Sequence, residues 1–158
     1  FSSMGTIYNG FIRALLQDDV KSMNAYMNQV ALATFSYFDS GRNPSMETQP
    51  ERFYHGFVLG MAVELADRYT ITSNRESGFG RYDVMMEPKN RTNNAIIIEF
   101  KVRDSKEEAA LLDTAKAALK QIEEQQYDVV LKNRGIYDER IRTYGFAFEG
   151  KKVLIKSQ

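Results

Sequence analysis

Ala95-Ile-Ile-Ile-Glu-Phe-Lys101 places an acid and a base two residues apart inside an otherwise apolar run. Side chains alternate across a strand, so Glu99 and Lys101 fall on one side and Ile98 and Phe100 on the other. Burying an acid and a base beside such hydrophobes is costly unless they are paired or hold a metal. Upstream, Gly80-Arg-Tyr-Asp83 enters a second apolar run, Val84-Met-Met86, and adds a third charge at a strand entrance.

Three charges of this kind have a chemical use. Magnesium prefers hard oxygen ligands and keeps several waters, so one or two carboxylates suffice. Asp83 and Glu99 on neighbouring strands would supply them, with the backbone carbonyl of Phe100 as a further ligand. Lys101 would then sit beside the cation, holding a phosphate or the attacking water and stabilising developing negative charge. The same spacing fits a plainer reading, a Glu99–Lys101 ion pair at a sheet edge with Asp83 as a turn residue.

The stretch before Asp83, Ser73-Asn-Arg-Glu-Ser-Gly-Phe-Gly-Arg-Tyr-Asp83, brings two glycines and two arginines into a turn where backbone can approach a phosphate. Arg75 and Arg81 are candidates for contacts to a nucleic-acid backbone. The alternative is a surface hairpin in which they pair with Glu76. His55 is the one histidine. At about 100° per residue it falls among Val58, Leu59, Ala62, Leu65, Ala66 and Tyr69, the stripe expected to face the sheet, with Glu64 toward solvent. It is therefore the helix's first candidate for the metal site, with Glu51 one turn earlier as a weaker one. A hydrogen-bonded core histidine is the other reading.

The rest of the chain supplies a frame. Ile7, Phe11 and Leu15 predict a helix, Asp18-Asp19 a break or N-cap, and Val20, Met23, Met27 and Val30 a second helix. Residues 39–50 read as a loop or linker. A third helix is expected from Pro50 to about Tyr69, then strands near 70–73, 80–87 and 94–102. Ser105-Lys-Glu-Glu108 has capping-box spacing, ahead of a helix with Leu112, Ala115, Leu119 and Ile122 on its apolar face. Gln121 lies at the edge of that face, beside Thr114 and Ala117. A helical turn ending at Gly135 and a hairpin of 144–148 with 152–156 complete the order. The expected class is α/β, a central mixed sheet flanked by helices with an N-terminal helical extension. The expected division is residues 1–50 as extension or linker and 51–158 as the domain.

Composition narrows the function. The 158 residues carry 21 basic and 21 acidic side chains, a net charge of zero, so tight non-specific binding to nucleic acid is disfavoured while a local basic cleft is not. No cysteine is present, which rules out disulfides and thiolate metal sites and fits a reducing cytoplasm. No segment reaches the roughly 18 apolar residues of a membrane span. There is no P-loop, no dinucleotide fingerprint and no Ser/His/Asp or Cys/His arrangement.

Tyr54-His-Gly-Phe57, the eleven residues ending at Asp83, Ile96-Ile-Ile-Glu-Phe-Lys101 and Ala118-Leu-Lys-Gln-Ile122 give residues 54–158 a resemblance to a bacterial PD-(D/E)XK nuclease family usually found C-terminal to an AAA-ATPase-like domain. Phe35-Ser-Tyr-Phe-Asp39 looks like the linker that follows the ATPase part. One departure is Tyr82, where the motif has Pro. The resemblance implies a restriction-endonuclease-like core and Mg²⁺- or Mn²⁺-dependent phosphodiester hydrolysis, with DNA as the expected partner. The two acids and the lysine map onto Asp83, Glu99 and Lys101, the histidine of some branches onto His55, and an assisting role onto Gln121. The alternative it leaves is a catalytically silent module that binds nucleic acid or protein beside an AAA-type ATPase in a longer polypeptide.

Overall fold

Apolar residues at helical spacing fold the N-terminus into α1 (Ser2–Leu16) and α2 (Val20–Asp39). Between them Asp18 takes a left-handed backbone (φ 57°), and the Asp19 carboxylate accepts the Ser22 N–H at 3.1 Å and its hydroxyl at 2.6 Å. The predicted break and cap are thus two adjacent residues with different tasks. The computed structural model describes residues 2–39, 48–76 and 81–158, with side chains at 5–33, 53, 55–74 and 82–158. Most of the expected 39–50 linker lies outside the described residues, and α3 (Thr48–Glu64) follows it.

Three strands come next, β1 (Tyr69–Glu76), β2 (Arg81–Pro88) and β3 (Ala95–Val102), paired as an antiparallel meander. Helix α4 (Leu111–Glu124) and the short α5 (Tyr127–Asn133) then carry the chain across the sheet, so that β4 (Ile141–Glu149) joins β3 in parallel. β5 (Lys152–Ser157) returns antiparallel after a turn at Gly150, whose φ of 58° suits glycine. The strand order is 1-2-3-4-5. A five-stranded mixed sheet flanked by helices, with two more helices at the N-terminus, is the expected restriction-endonuclease-like α/β fold.

The larger core lies on one face of this sheet. Tyr82, Val84, Met86, Ile96, Ile98, Phe100, Tyr144, Phe146 and Phe148 point there and meet Phe11, Leu15, Met23, Met27, Phe57 and Met61 from the first three helices. The core therefore runs across residue 50. Helix α2 also closes the sheet's last edge by polar means. The Asn24 amide donates to the Ile155 carbonyl at 2.9 Å and accepts its N–H at 2.8 Å, and Asn28 does the same to Val153 at 2.8 and 2.9 Å. Two asparagines one helical turn apart thus stand in for a missing strand.

Two expectations need correction. Helix α3 ends at Glu64, and its buried stripe is Phe53, Phe57, Val58, Met61 and Leu65, while Leu59, Ala66 and His55 are exposed. The bulkier Phe57 and Met61 take the sheet, rotating the helix away from the predicted stripe. On α4, Leu112 is exposed and Thr114, Ala115, Ala118, Leu119 and Ile122 are buried. This helix lies close because β4 offers Gly145. A Cβ there would run into the Ala115 carbonyl oxygen and stand 3.1 Å from the Ala118 Cβ. Gly145→Ala should therefore cost about 1–3 kcal/mol of stability by overpacking, read as a lower denaturant midpoint with unchanged slope. An unchanged midpoint would show that α4 yields freely.

Candidate active site

On the second face the apolar surface stops short. Met85, Ala95, Ile97, Leu119, Ile122, Leu131, Ile136 and Ile141 form a smaller core beneath α4 and α5. One strand-step beyond Ile97 on the same face, the row across the sheet becomes Asn74, Asp83, Glu99 and Gly145, all in register. Asp83 and Glu99 thus face each other directly across β2 and β3. They are 8% and 2% exposed, so two carboxylates meet with little water to screen them. Lys101 follows on the same face, its side chain 12% exposed.

Asp83 and Lys101 are each approached from a different element. The Tyr127 hydroxyl, from the first turn of α5, donates to Oδ2 of Asp83. Burial and then this bond and charge to Asp83 hold the Tyr127 hydroxyl protonated well above its ordinary range, against a contact with Asn74 that acts the other way. The Lys101 ammonium donates to Oε1 of Glu108 at 2.7 Å. The same oxygen accepts the Asp104 N–H at 2.8 Å. Burial would raise the Glu108 carboxyl, but the Lys101 and Asp104 hydrogen bonds outweigh it and hold the group below its ordinary value. Glu108 therefore does not complete a capping box with Ser105. α4 begins at Leu111, where Asp113 accepts the Ala110 N–H at 3.0 Å.

The structure brings Asp83, Glu99 and Lys101 to one face and leaves His55 away from them. The exposed His55 ring stands edge-on to Tyr82, centroids 5.3 Å apart, and Tyr82 points to the sheet face opposite Asp83. The Phe100 side chain lies in the larger core, leaving only its carbonyl for a ligand. Gln121 is half-buried on α4, seven residues beyond Thr114 and so on the same helix face. Arg81 pairs in register with Lys101 and Glu76 with Arg81, but the side chains of Glu51, Arg75, Glu76 and Arg81 lie outside the described residues. Sequence reasoning missed Asn74, Glu108 and Tyr127. Only Glu108 left a trace there, as an acid in a capping-like spacing.

Among the described residues no three His, Cys, Asp or Glu side chains are grouped to hold a metal. The candidate centre is therefore a pair of carboxylates. That pair suits magnesium: its oxygens are hard, the two groups are adjacent and buried, and the cation fills its remaining positions with water.

Tyr127 gives this site an alkaline signature. The folded state keeps its hydroxyl protonated to higher pH than the unfolded chain does. Its contribution is thus complete below about pH 10, the ordinary tyrosine value, and is lost as pH rises toward the folded-state value. Half-buried Tyr8 and buried Tyr144 are raised likewise. Tyr127→Phe should lose about 1 kcal/mol at neutral pH and show a shallower fall in stability above about pH 10 than the parent. Parallel pH profiles for the two proteins would contradict the Tyr127–Asp83 bond.

No curated protein matches the chain. The family model of the PD-(D/E)XK nuclease superfamily matches residues 49–158, which include all but the first residue of α3, the five strands and both later helices. The chain belongs to the PD-(D/E)XK nuclease superfamily.

Proposed function

We propose that this protein is a metal-dependent nuclease domain that hydrolyses phosphodiester bonds in DNA. The observation that carries the reading is the register of Asp83 against Glu99 with Lys101 on the same sheet face. Asp83 and Glu99 hold Mg²⁺ or Mn²⁺, with the Phe100 carbonyl as a third protein ligand. When bound, the cation supplies charge stabilisation at the phosphate and lowers the pKa of water. Lys101 offsets negative charge developing on the phosphate as water adds to phosphorus and one ester bond breaks. Tyr127 fixes the Asp83 carboxylate, and Gln121 of α4 assists. Arg75 and Arg81 orient the nucleic-acid backbone from the β1–β2 hairpin. His55, on the opposite sheet face, has no part in this scheme.

The second reading is a catalytically silent binding module working with an AAA-type ATPase in a longer polypeptide. The zero net charge favours it, since the domain as a whole has no field to attract DNA.

Substitution separates the readings with a stability readout attached. Asp83 and Glu99 repel each other when no cation is bound, so Asp83→Asn or Glu99→Gln should leave the melting temperature unchanged or raised while cleavage is lost. Lys101→Ala should lower the cleavage rate roughly 100- to 1,000-fold. Mn²⁺ should raise the melting temperature of the parent and not that of Glu99→Gln. Parent protein that binds Mn²⁺ yet cleaves neither DNA nor RNA would favour the silent module. Equal Mn²⁺ stabilisation of parent and variant would refute the carboxylate pair as the metal site.

A further inference from the structure

The eight residues Arg103 to Ala110 between β3 and α4 form a largely exposed turn, with Arg103 half-buried and one residue fully buried. Asp104, Ser105, Lys106, Glu107, Ala109 and Ala110 are exposed, and Glu108 is 6% exposed. An acid is the wrong residue to bury in such a turn unless its charge has a use, because an ion pair out of water rarely stabilises more than an apolar pair of the same volume. The turn is built around it. The Glu108 N–H donates to the Asp104 carbonyl at 2.8 Å and its carboxylate accepts the Asp104 N–H. Arg103 donates from Nη1 to the Glu108 carbonyl at 2.7 Å, pairs with Glu149, and donates its N–H to the Phe148 carbonyl at 2.9 Å. The Glu108 backbone is thus anchored through Arg103 to the end of β4, and its carboxylate meets Lys101 from there.

We propose that Glu108 is the positioning residue of Lys101, holding the ammonium against β3 beside Asp83 and Glu99 so that it meets the substrate phosphate. This rests on the nuclease reading. A lysine side chain has four carbon–carbon links and about 2 kcal/mol of rotamer entropy, so its ammonium must be held to be of use. An ammonium has three donors, and Glu108 takes one of them.

The neighbourhood explains why one particular acid is needed. A cavity of about 450 Å³ opens beside the pair, lined by Lys101, Asp104, Glu107, Glu108, Asp113 and Ala117. Three other carboxylates line the space into which the lysine would swing. Asp104 and Asp113 are engaged at the Lys106 and Ala110 N–H groups, at 2.9 and 3.0 Å. Each still attracts an ammonium. Glu108, buried and doubly bonded, outcompetes them and keeps Lys101 at the sheet. Its carboxyl is held below its ordinary value, so the charge persists at neutral pH.

The test compares Glu108→Ala, Glu108→Gln and the parent. In Glu108→Ala the Mg²⁺-dependent cleavage rate should fall about 10- to 100-fold with KM for a DNA duplex little changed, since contacts along the substrate remain. Glu108→Gln keeps an oxygen that accepts from both Lys101 and the Asp104 N–H, and should recover most of the rate. The second readout is proton–nitrogen NMR of the Lys101 ammonium in metal-free protein, assigned with Lys101→Arg. The slow-exchanging signal of a held ammonium should be present in the parent and Glu108→Gln and absent in Glu108→Ala. Folded Glu108→Ala that cleaves like the parent, or keeps the ammonium signal, overturns the proposal, as does an equal loss in both variants. A parent that cleaves nothing removes the nuclease reading alone, and the NMR comparison still decides whether Glu108 holds Lys101.

Discussion

Phe100 is the residue on which the site's geometry depends. Its ring is wholly buried, 5.2 Å from Phe146, 6.0 Å from Tyr82 and Phe148, and 6.1 Å from Phe57, centroid to centroid. Aromatic contacts of this kind add to an already large burial term. Because a strand alternates, fixing Phe100 on that face forces Glu99 and Lys101 onto the other. A one-residue slip would drive both charges into the aromatic core, at a cost no nearby partner offsets. The charged pair is therefore positioned from behind, by a hydrophobic cluster whose side chains take no part in the proposed chemistry.

That cluster extends well beyond the matched region. Phe11 from α1 lies 5.1 Å from Phe57 and 6.0 Å from Phe146, so the N-terminal helices help hold the strands that carry the acids. β4 in turn ties down the loop before α2, where Tyr144 donates to Asp18 at 2.6 Å and Arg142 donates to the Leu16 carbonyl at 3.1 Å. A site that keeps two acids side by side stores electrostatic strain. The large first core and the strand-mimicking asparagines of α2 are where the fold offsets it.

How much of this the sequence discloses depends on the range of the interactions. β3 was legible because period-two alternation is a local property, and the break at Asp18-Asp19 because capping is local too. Asp83 and Glu99 could be paired on paper once both runs were taken as strands. The phase of α3 was not legible, since two stripes of similar hydrophobicity compete and only contact with the sheet chooses Phe57 and Met61 over Leu59 and Ala66. Ser105 and Glu108 have the spacing of a capping box, and nothing local distinguishes that from a turn that turns its glutamate inward to a lysine seven residues back. Tyr127 meets Asp83 across 44 residues, and no local pattern announces such a contact. Sequence showed the groups that carry charge and hid the groups that hold them in place.

Electrostatics give the proposed activity its internal logic. Asp83 and Glu99 set two carboxylates opposite each other on one buried face, a pair of hard oxygens of the kind a divalent cation takes. A protein of zero net charge has no long-range field to gather a polyanion. Attraction for a phosphate must therefore arise at short range, and two carboxylates would themselves repel it. In the proposed nuclease the cation removes that repulsion, and Lys101 then presents a positive group to the phosphate. Metal binding and substrate binding are on this account one thermodynamic event. The lysine has to be restrained for the same reason, because an ammonium drawn off to Asp104, Glu107 or Asp113 would leave the phosphate without its positive partner.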